Sequence, residues 1–338
     1  MNNFIINTVK YLAITLLLSG LIIYIFIVTQ PAFFLGAPLD YYYCTYQYEQ
    51  INKKTTFTNI IIGDSRGNAS VNPKMLGEKW VNLSIPGSDF FEGYIALKKY
   101  LLNNKIDTLV MVYGINYIGE GSPYFNSRTI PFQFISYNDL TELEQVERKH
   151  NYLFHGDATE DRFDLKRNQF DRRLKLLHFP FSYRETFLDG LNSLYNSPAD
   201  FPLKKGKIIQ QLHDYLGYMN FGEADSNNTD GINGEYIFNP KPINQYYLSL
   251  IMELASKNKI TAFLIIPPMN QASFNSYNRS KYDSTVNQYL KTVQNKYSKL
   301  SIVHDPVSLP NTLFGDPYHV NKKGTTIFTE LTRSHLNR

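Results

Sequence analysis

The chain has 338 residues, 43% of them hydrophobic and 19% charged, which are the proportions of a folded globular protein. That length holds a membrane segment plus one large domain or two small ones. Its 34 Lys and Arg against 30 Asp and Glu leave a net charge of +4, too slight for a nucleic-acid binder, and the single cysteine, Cys44, excludes an intrachain disulfide and a cysteine-based metal site.

Leu12 to Val28 is a charge-free apolar run of about 17 residues, just long enough to span a bilayer. It exceeds the usual core of a signal peptide. No small-x-small cleavage site follows it, since Pro38 obstructs the nearest candidate at Ala37. The expectation is therefore an uncleaved anchor over residues 1–29. Lys10 precedes the run and no Lys or Arg follows until Lys53, so the positive-inside bias places the N-terminus in the cytoplasm and the rest outside. Residues 30–55, with Tyr41-Tyr42-Tyr43, read as an aromatic juxtamembrane connector. The alternatives are a solvent-covered linker and a segment packed on the domain. The 26 Tyr and 23 Phe of the whole chain suit sugar stacking or packing under long loops.

From Thr58 the pattern is α/β, and residues 56–338 are expected to form one domain. Asn59 to Ile62 is a short β-branched strand that ends abruptly in Gly63-Asp64-Ser65-Arg66. Asn72-Pro73 opens a helix, with Asn as cap and Pro at the first position. Trp80 to Ser84 is a second strand. Ser88 or Asp89 caps the helix after it, whose apolar face is Phe91, Ile95, Leu97, Leu101 and Leu102. A third strand lies within Asp107–Tyr113 and leads into Gly114-Ile115-Asn116. This alternation implies a parallel sheet.

The alternation stops at about residue 117 and resumes near 242. The stretch between reads as a long, mostly helical insertion, with helices near Glu160–Leu177 and Leu203–Met219, acting as a cap or a partner-docking lobe. Its polar run Asp225-Ser226-Asn227-Asn228-Thr229-Asp230-Gly231 superficially matches a calcium loop. Aligned on Asp230-Gly231, however, that pattern needs an acid where Ile237 stands, so the run reads as a solvent loop. A helix around Ile243–Lys257, a fourth strand Thr261–Ile266, a helix about Tyr282–Tyr297 and a fifth strand Ser301–His304 follow. The chain closes on Asp316-Pro317-Tyr318-His319 and a helix from about Lys322.

Ser65, Gly87 and Asn116 each fall just past the carboxyl end of a predicted strand, the edge where open parallel sheets build their sites. A hydroxyl, a glycine amide and a carboxamide there meet the needs of acyl transfer. Ser65 is the candidate nucleophile, and its own amide, the Gly87 amide and the Asn116 side chain are candidate donors to an oxyanion. His319 is the candidate base, with Asp316 three residues earlier to orient it and Pro317 fixing the backbone as a possible first helical residue. Each piece alone has an ordinary explanation as a turn or cap residue; their joint placement at strand ends carries the reading. His150, His155, His178, His213, His304 and His335 lack this context and read as surface or packing residues.

In these blocks the chain resembles the SGNH (GDSL-like) hydrolase superfamily. Gly63-Asp64-Ser65 matches the first block, Gly87 the second, Gly114-Ile115-Asn116 the third and Asp316-Pro317-Tyr318-His319 the last, over Thr58 to the C-terminus without the insertion. The resemblance implies a three-layer α/β/α sandwich around a five-stranded parallel sheet and an activity on acyl esters, with no metal or organic cofactor. Tyr117 stands where many members have Asp, and Arg66 where Leu is frequent. The anchor and the run Asp316, His319, Asn321, Gly324 are similar to membrane-anchored SGNH-like proteins of cell-envelope modification, which work beside multispanning membrane O-acyltransferases. The expected function is thus an extracytoplasmic serine acyltransferase or esterase on a cell-surface polysaccharide, Arg66 being a candidate contact for an anionic glycan or an ordinary ion pair. The rivals are a lipid esterase at the membrane surface and a non-catalytic glycan-binding or scaffold protein of the same fold.

Overall fold

The computed structural model describes residues 2–29, 40–119, 122, 124–150, 162–178, 201–220, 238, 240–276, 283–303 and 307–337. Helix α1 (Asn2–Thr29) is the apolar N-terminal segment, and its side chains are almost all exposed. Its 28 residues rise about 42 Å, more than the roughly 30 Å of a bilayer's hydrocarbon core. Among the described residues one helix, at the N-terminus, is thus long and apolar enough to cross a membrane.

The remainder runs in order as α2 (Asp40–Asn52), β1 (Asn59–Gly63), α3 (Ser65–Ser70), α4 (Pro73–Leu76), β2 (Trp80–Asn82), α5 (Phe90–Asn103), β3 (Thr108–Val112) and α6 (Ile115–Gly119). Then come α7 (Tyr137–His150), α8 (Arg162–Leu176), α9 (Phe201–Asp214), α10 (Pro242–Lys257), β4 (Thr261–Ile265), β5 (Met269–Asn270), α11 (Gln288–Lys296), β6 (Leu300–Val303), β7 (Ser308–Leu309) and α12 (Lys322–Leu336). Five strands form one parallel sheet in the order β2-β1-β3-β4-β6, and β5 and β7 form a separate short parallel pair.

Alternation along each strand explains why helices cover both faces. Ile60, Ile62, Leu109, Met111, Ala262 and Leu264 point into the larger core with Phe91, Ile95 and Leu97 of α5 and Tyr247 and Ile251 of α10. Ile61, Val110, Val112, Phe263 and Ile265 point the other way, against Phe328 and Leu331 of α12. The cap chemistry is as expected at Asn72, whose side chain accepts the Lys74 amide. It is also as expected at Asp89, which forms a reciprocal capping box with Glu92.

Four local expectations change. Leu102 does not join the apolar face of α5; it is 78% exposed, because neighbours on a helix point about 100° apart and Leu101 takes the inward side. The expected connector is, over Asp40–Asn52, a helix packed on α5 and α9, with Cys44, Gln47 and Ile51 buried. The insertion gains α7, which the sequence reading left unassigned. Its helix near 203–219 ends at Asp214, and the turn that follows returns to the sheet: the Asn82 amide donates to Leu216 O (2.9 Å) and the Met219 amide to Asn68 O (3.1 Å). The turn over residues 216–219 thus lies against the β2 edge, while α7 packs on α10 in the larger core. The polar run 225–231 lies outside the described residues.

Candidate active site

In the order β2-β1-β3-β4-β6 the direction of winding reverses between β1 and β3, so the loops after these two strands diverge and leave a crevice. Ser65, the first residue of α3, stands there. Asp64 just before it is fully buried and holds two loops at once: one carboxylate oxygen accepts the Arg66 amide (2.8 Å) and the other the Gly114 amide (2.9 Å). Nothing in Gly-Asp-Ser itself assigns Asp64 a task. It is the clamp between the β1 and β3 ends.

The imidazole arrives from a tight hairpin. Phe314 and Val320 form an antiparallel bridge, and the Gly315 amide donates to His319 O (2.9 Å). Within it, Asp316 Oδ1 accepts the amides of both Tyr318 and His319 at 2.8 Å. The same carboxylate faces the ring, with His319 Nδ1 2.8 Å from Oδ2 and 3.0 Å from Oδ1. The carboxylate can only accept, so Nδ1 carries the proton. Nε2 is left as an acceptor, 2.7 Å from Ser65 Oγ. Burial pushes the Asp316 carboxyl up, but the hydrogen bond and charge of His319 and the two backbone amides outweigh it and hold it below its ordinary value. Pro317 is not a first helical residue. The turn is closed by Asp316, and the helix begins at Lys322 under Asn321, whose side chain accepts the amides of Lys323 and Gly324.

Gly87 lies in the turn after β2, which Ser88 ties to the β1 end by donating from Oγ to Gly63 O (2.6 Å). Its φ is +65°, and a Cβ there would overlap the Tyr124 ring. Gly87→Ala should therefore cost about 1–2 kcal/mol from the left-handed backbone alone and more from displacing Tyr124. The expected readout is a lower midpoint in chemical denaturation; an unchanged midpoint would mean that the turn relaxes freely. Asn116 is the second residue of α6, placed past the end of β3, and its side chain lies outside the described residues.

Arg66 is packed into the wall of the crevice and only 8% exposed. Its guanidinium covers Gly114, where any Cβ would collide with it. The Arg66 guanidinium carbon lies 5.9 Å from the Tyr117 ring centre and 6.0 Å from that of Tyr318, and Nε is 3.8 Å from Asp64.

Behind Gly87 is a second charged group that the sequence reading did not pick out. Asp89, Glu92 and Arg128 are all buried. Arg128 pairs with Glu92 at 3.5 Å, and Thr129 donates to the same carboxyl. Burial pushes both carboxyls above the ordinary range; Arg128 opposes this, and Asp89 adds to it for Glu92. A carboxyl raised by folding stabilises below its unfolded pKa, and the contribution is lost as pH rises through the folded value. Melting temperature should thus fall between about pH 5 and about pH 9, and Glu92→Gln should flatten that fall. Parallel wild-type and variant curves would contradict it.

Among the described residues no group of three His, Cys, Asp or Glu side chains is placed to hold a metal ion. His213 packs edge-on to Tyr46, His150 lies against Tyr246 and His178 is buried, while His155 and His304 lie outside the described residues. A model of an uncharacterised protein family matches residues 226–338, a stretch that contains β4, β6 and the Asp316–His319 hairpin but not Ser65. No curated protein matches the chain.

Proposed function

We propose that this chain is a membrane-anchored serine acyltransferase or esterase of the SGNH type, acting on O-acyl groups of a cell-surface polysaccharide. The observation that carries the reading is the relay Ser65 Oγ–His319 Nε2 (2.7 Å), with His319 Nδ1 on Asp316 (2.8 Å), built from residues some 250 positions apart in the chain. The sheet order and the helices on both faces support the three-layer α/β/α sandwich of that superfamily. Helix α1 serves as the anchor, with its Lys10 end in the cytoplasm and the sheet domain outside. A multispanning O-acyltransferase is the expected partner that supplies the acyl group.

In the proposed reaction Ser65 Oγ attacks the carbonyl carbon of an acyl ester while its proton passes to His319 Nε2. The resulting oxyanion is met by the amides of Ser65 and Gly87 and by Asn116. Collapse breaks the bond to the leaving alcohol, which takes the proton from His319, and leaves acyl-Ser65. A sugar hydroxyl or water then gives its proton to His319 and attacks the acyl carbon, freeing Ser65. Asp316 stays ionised throughout and balances the transient imidazolium. The test is to incubate the full-length protein in detergent with an activated acetyl ester and to map the adduct by mass spectrometry. Acetylation of Ser65, absent in Ser65→Ala, is expected. No adduct and no turnover in the wild type would refute the enzyme reading.

A further inference from the structure

A groove of about 630 Å³ opens between α4, α9 and α12, away from the Ser65 crevice. We infer that it holds an anionic oligosaccharide segment of the substrate, an inference that rests on the proposed acyl chemistry at Ser65 for its link to catalysis. Three observations lead there. Most of its lining side chains carry a polar group, although carbon atoms of their rings, methyls and stems make up more than half of its surface: Met75 is the sole aliphatic side chain among the described lining residues, the rest being mainly amides, hydroxyls and lysines. Amides and hydroxyls both donate and accept, which suits the hydroxyls of a sugar rather than a fatty chain.

The charge also leans basic, with two lysines against one acid. Lys207 of α9 and Lys322 of α12 both line the groove, and Lys74 sits 5.6 Å above the Tyr215 ring at its edge. Asp214 is the single acid of the lining, and its carboxylate already accepts from Gln210 at 2.7 Å. Tyr215 is half-buried and adds aromatic surface for a sugar ring, held in place edge-on by the buried Tyr218, whose ring centre is 5.8 Å away.

The groove is joined to the catalytic elements. Thr325, in its lining, donates to Ala69 O at 2.7 Å and meets the Tyr218 hydroxyl at 3.3 Å, so it touches the far end of the six-residue helix that Ser65 begins. That helix is about 9 Å long. Lys322 follows His319 by three residues, a reach of at most about 11 Å. The groove thus borders the helix that Ser65 begins and the segment that follows His319.

The experiment is calorimetric titration of the full-length protein in detergent with tetragalacturonate, with neutral maltotetraose as the control. Tetragalacturonate is expected to bind and maltotetraose to bind far more weakly. In the double variant Lys207→Glu, Lys322→Glu, both residues being exposed, affinity should drop about tenfold or more. Equal affinity for the two sugars, or an unchanged affinity in the double variant, would overturn the inference. Acetylation of Ser65 in the same double variant separates the two claims. An adduct without tetragalacturonate binding removes the groove and leaves the chemistry; binding without an adduct in the wild type keeps the groove and removes the chemistry.

Discussion

Ser65→Ala and His319→Ala are each expected to lower kcat on an activated acetyl ester by about 10⁴–10⁶-fold, and the double variant is expected to lose little beyond the worse single one. Non-additivity is the informative part. The Ser65 Oγ–His319 Nε2 contact of 2.7 Å makes the two groups one device, since the base has no proton to take without the serine and the serine no acceptor without the base. Two groups acting independently would instead multiply their losses. Ser65→Ala shortens a small, partly exposed side chain, so its melting temperature should hold nearly constant, which separates lost chemistry from lost fold; His319→Ala also loses its contact with Asp316 and should melt somewhat lower. Single-variant losses within tenfold of wild type would sink the relay.

The same residues show how far sequence alone reaches. Short buried apolar runs, such as Ile60, Ile61 and Ile62 before Gly63 and Leu109, Val110, Met111 and Val112 two residues before Gly114, are local signals, so the sheet and the positions of Ser65, Gly87 and Asn116 at its edge were legible. Asp64 was not, because its task is a hydrogen bond to the amide of Gly114, 50 residues away, and nothing in Gly-Asp-Ser announces it. Helix α7 escaped for a different reason. Its buried face includes Glu144 and Glu147, paired with Arg173 and Arg172 of α8, the latter at 2.7 Å. A face that buries carboxylates reads as solvent-exposed in any apolar periodicity. Helix α2 was hidden by its tyrosines, which suit a membrane interface as well as a protein interior. Tyr42, Tyr43 and Tyr46 are in fact buried. Pro317 carried a helix-start signal that lost to the Asp316 side chain, which already takes the two amides a helix would have capped elsewhere.

Those two amides also shape the outcome expected of Asp316→Asn, a fall in kcat of about 10⁴-fold with the fold retained. The Tyr318 and His319 amides both donate to Oδ1, so in the variant they select the carboxamide oxygen for that position. The NH₂ is thereby forced to the Oδ2 position, 2.8 Å from His319 Nδ1. A donor facing Nδ1 makes that nitrogen the acceptor and moves the ring proton to Nε2, the atom that must receive the proton of Ser65. The base is then blocked by its own tautomer. Asp316→Ala does not force that tautomer but loses the hairpin's cap, so its loss should appear partly as a lower melting temperature. The pH dependence has a definite sign. Because folding holds the Asp316 carboxyl below its ordinary value, its stabilising contribution is present above the unfolded pKa and is lost as pH falls through the folded one. Melting curves of wild type and Asp316→Asn should therefore converge in strong acid and separate toward neutrality. The measurements are kcat against pH and melting temperature against pH for both proteins. An Asn variant that keeps more than a tenth of wild-type kcat would show that Asp316 does not set the tautomer of His319.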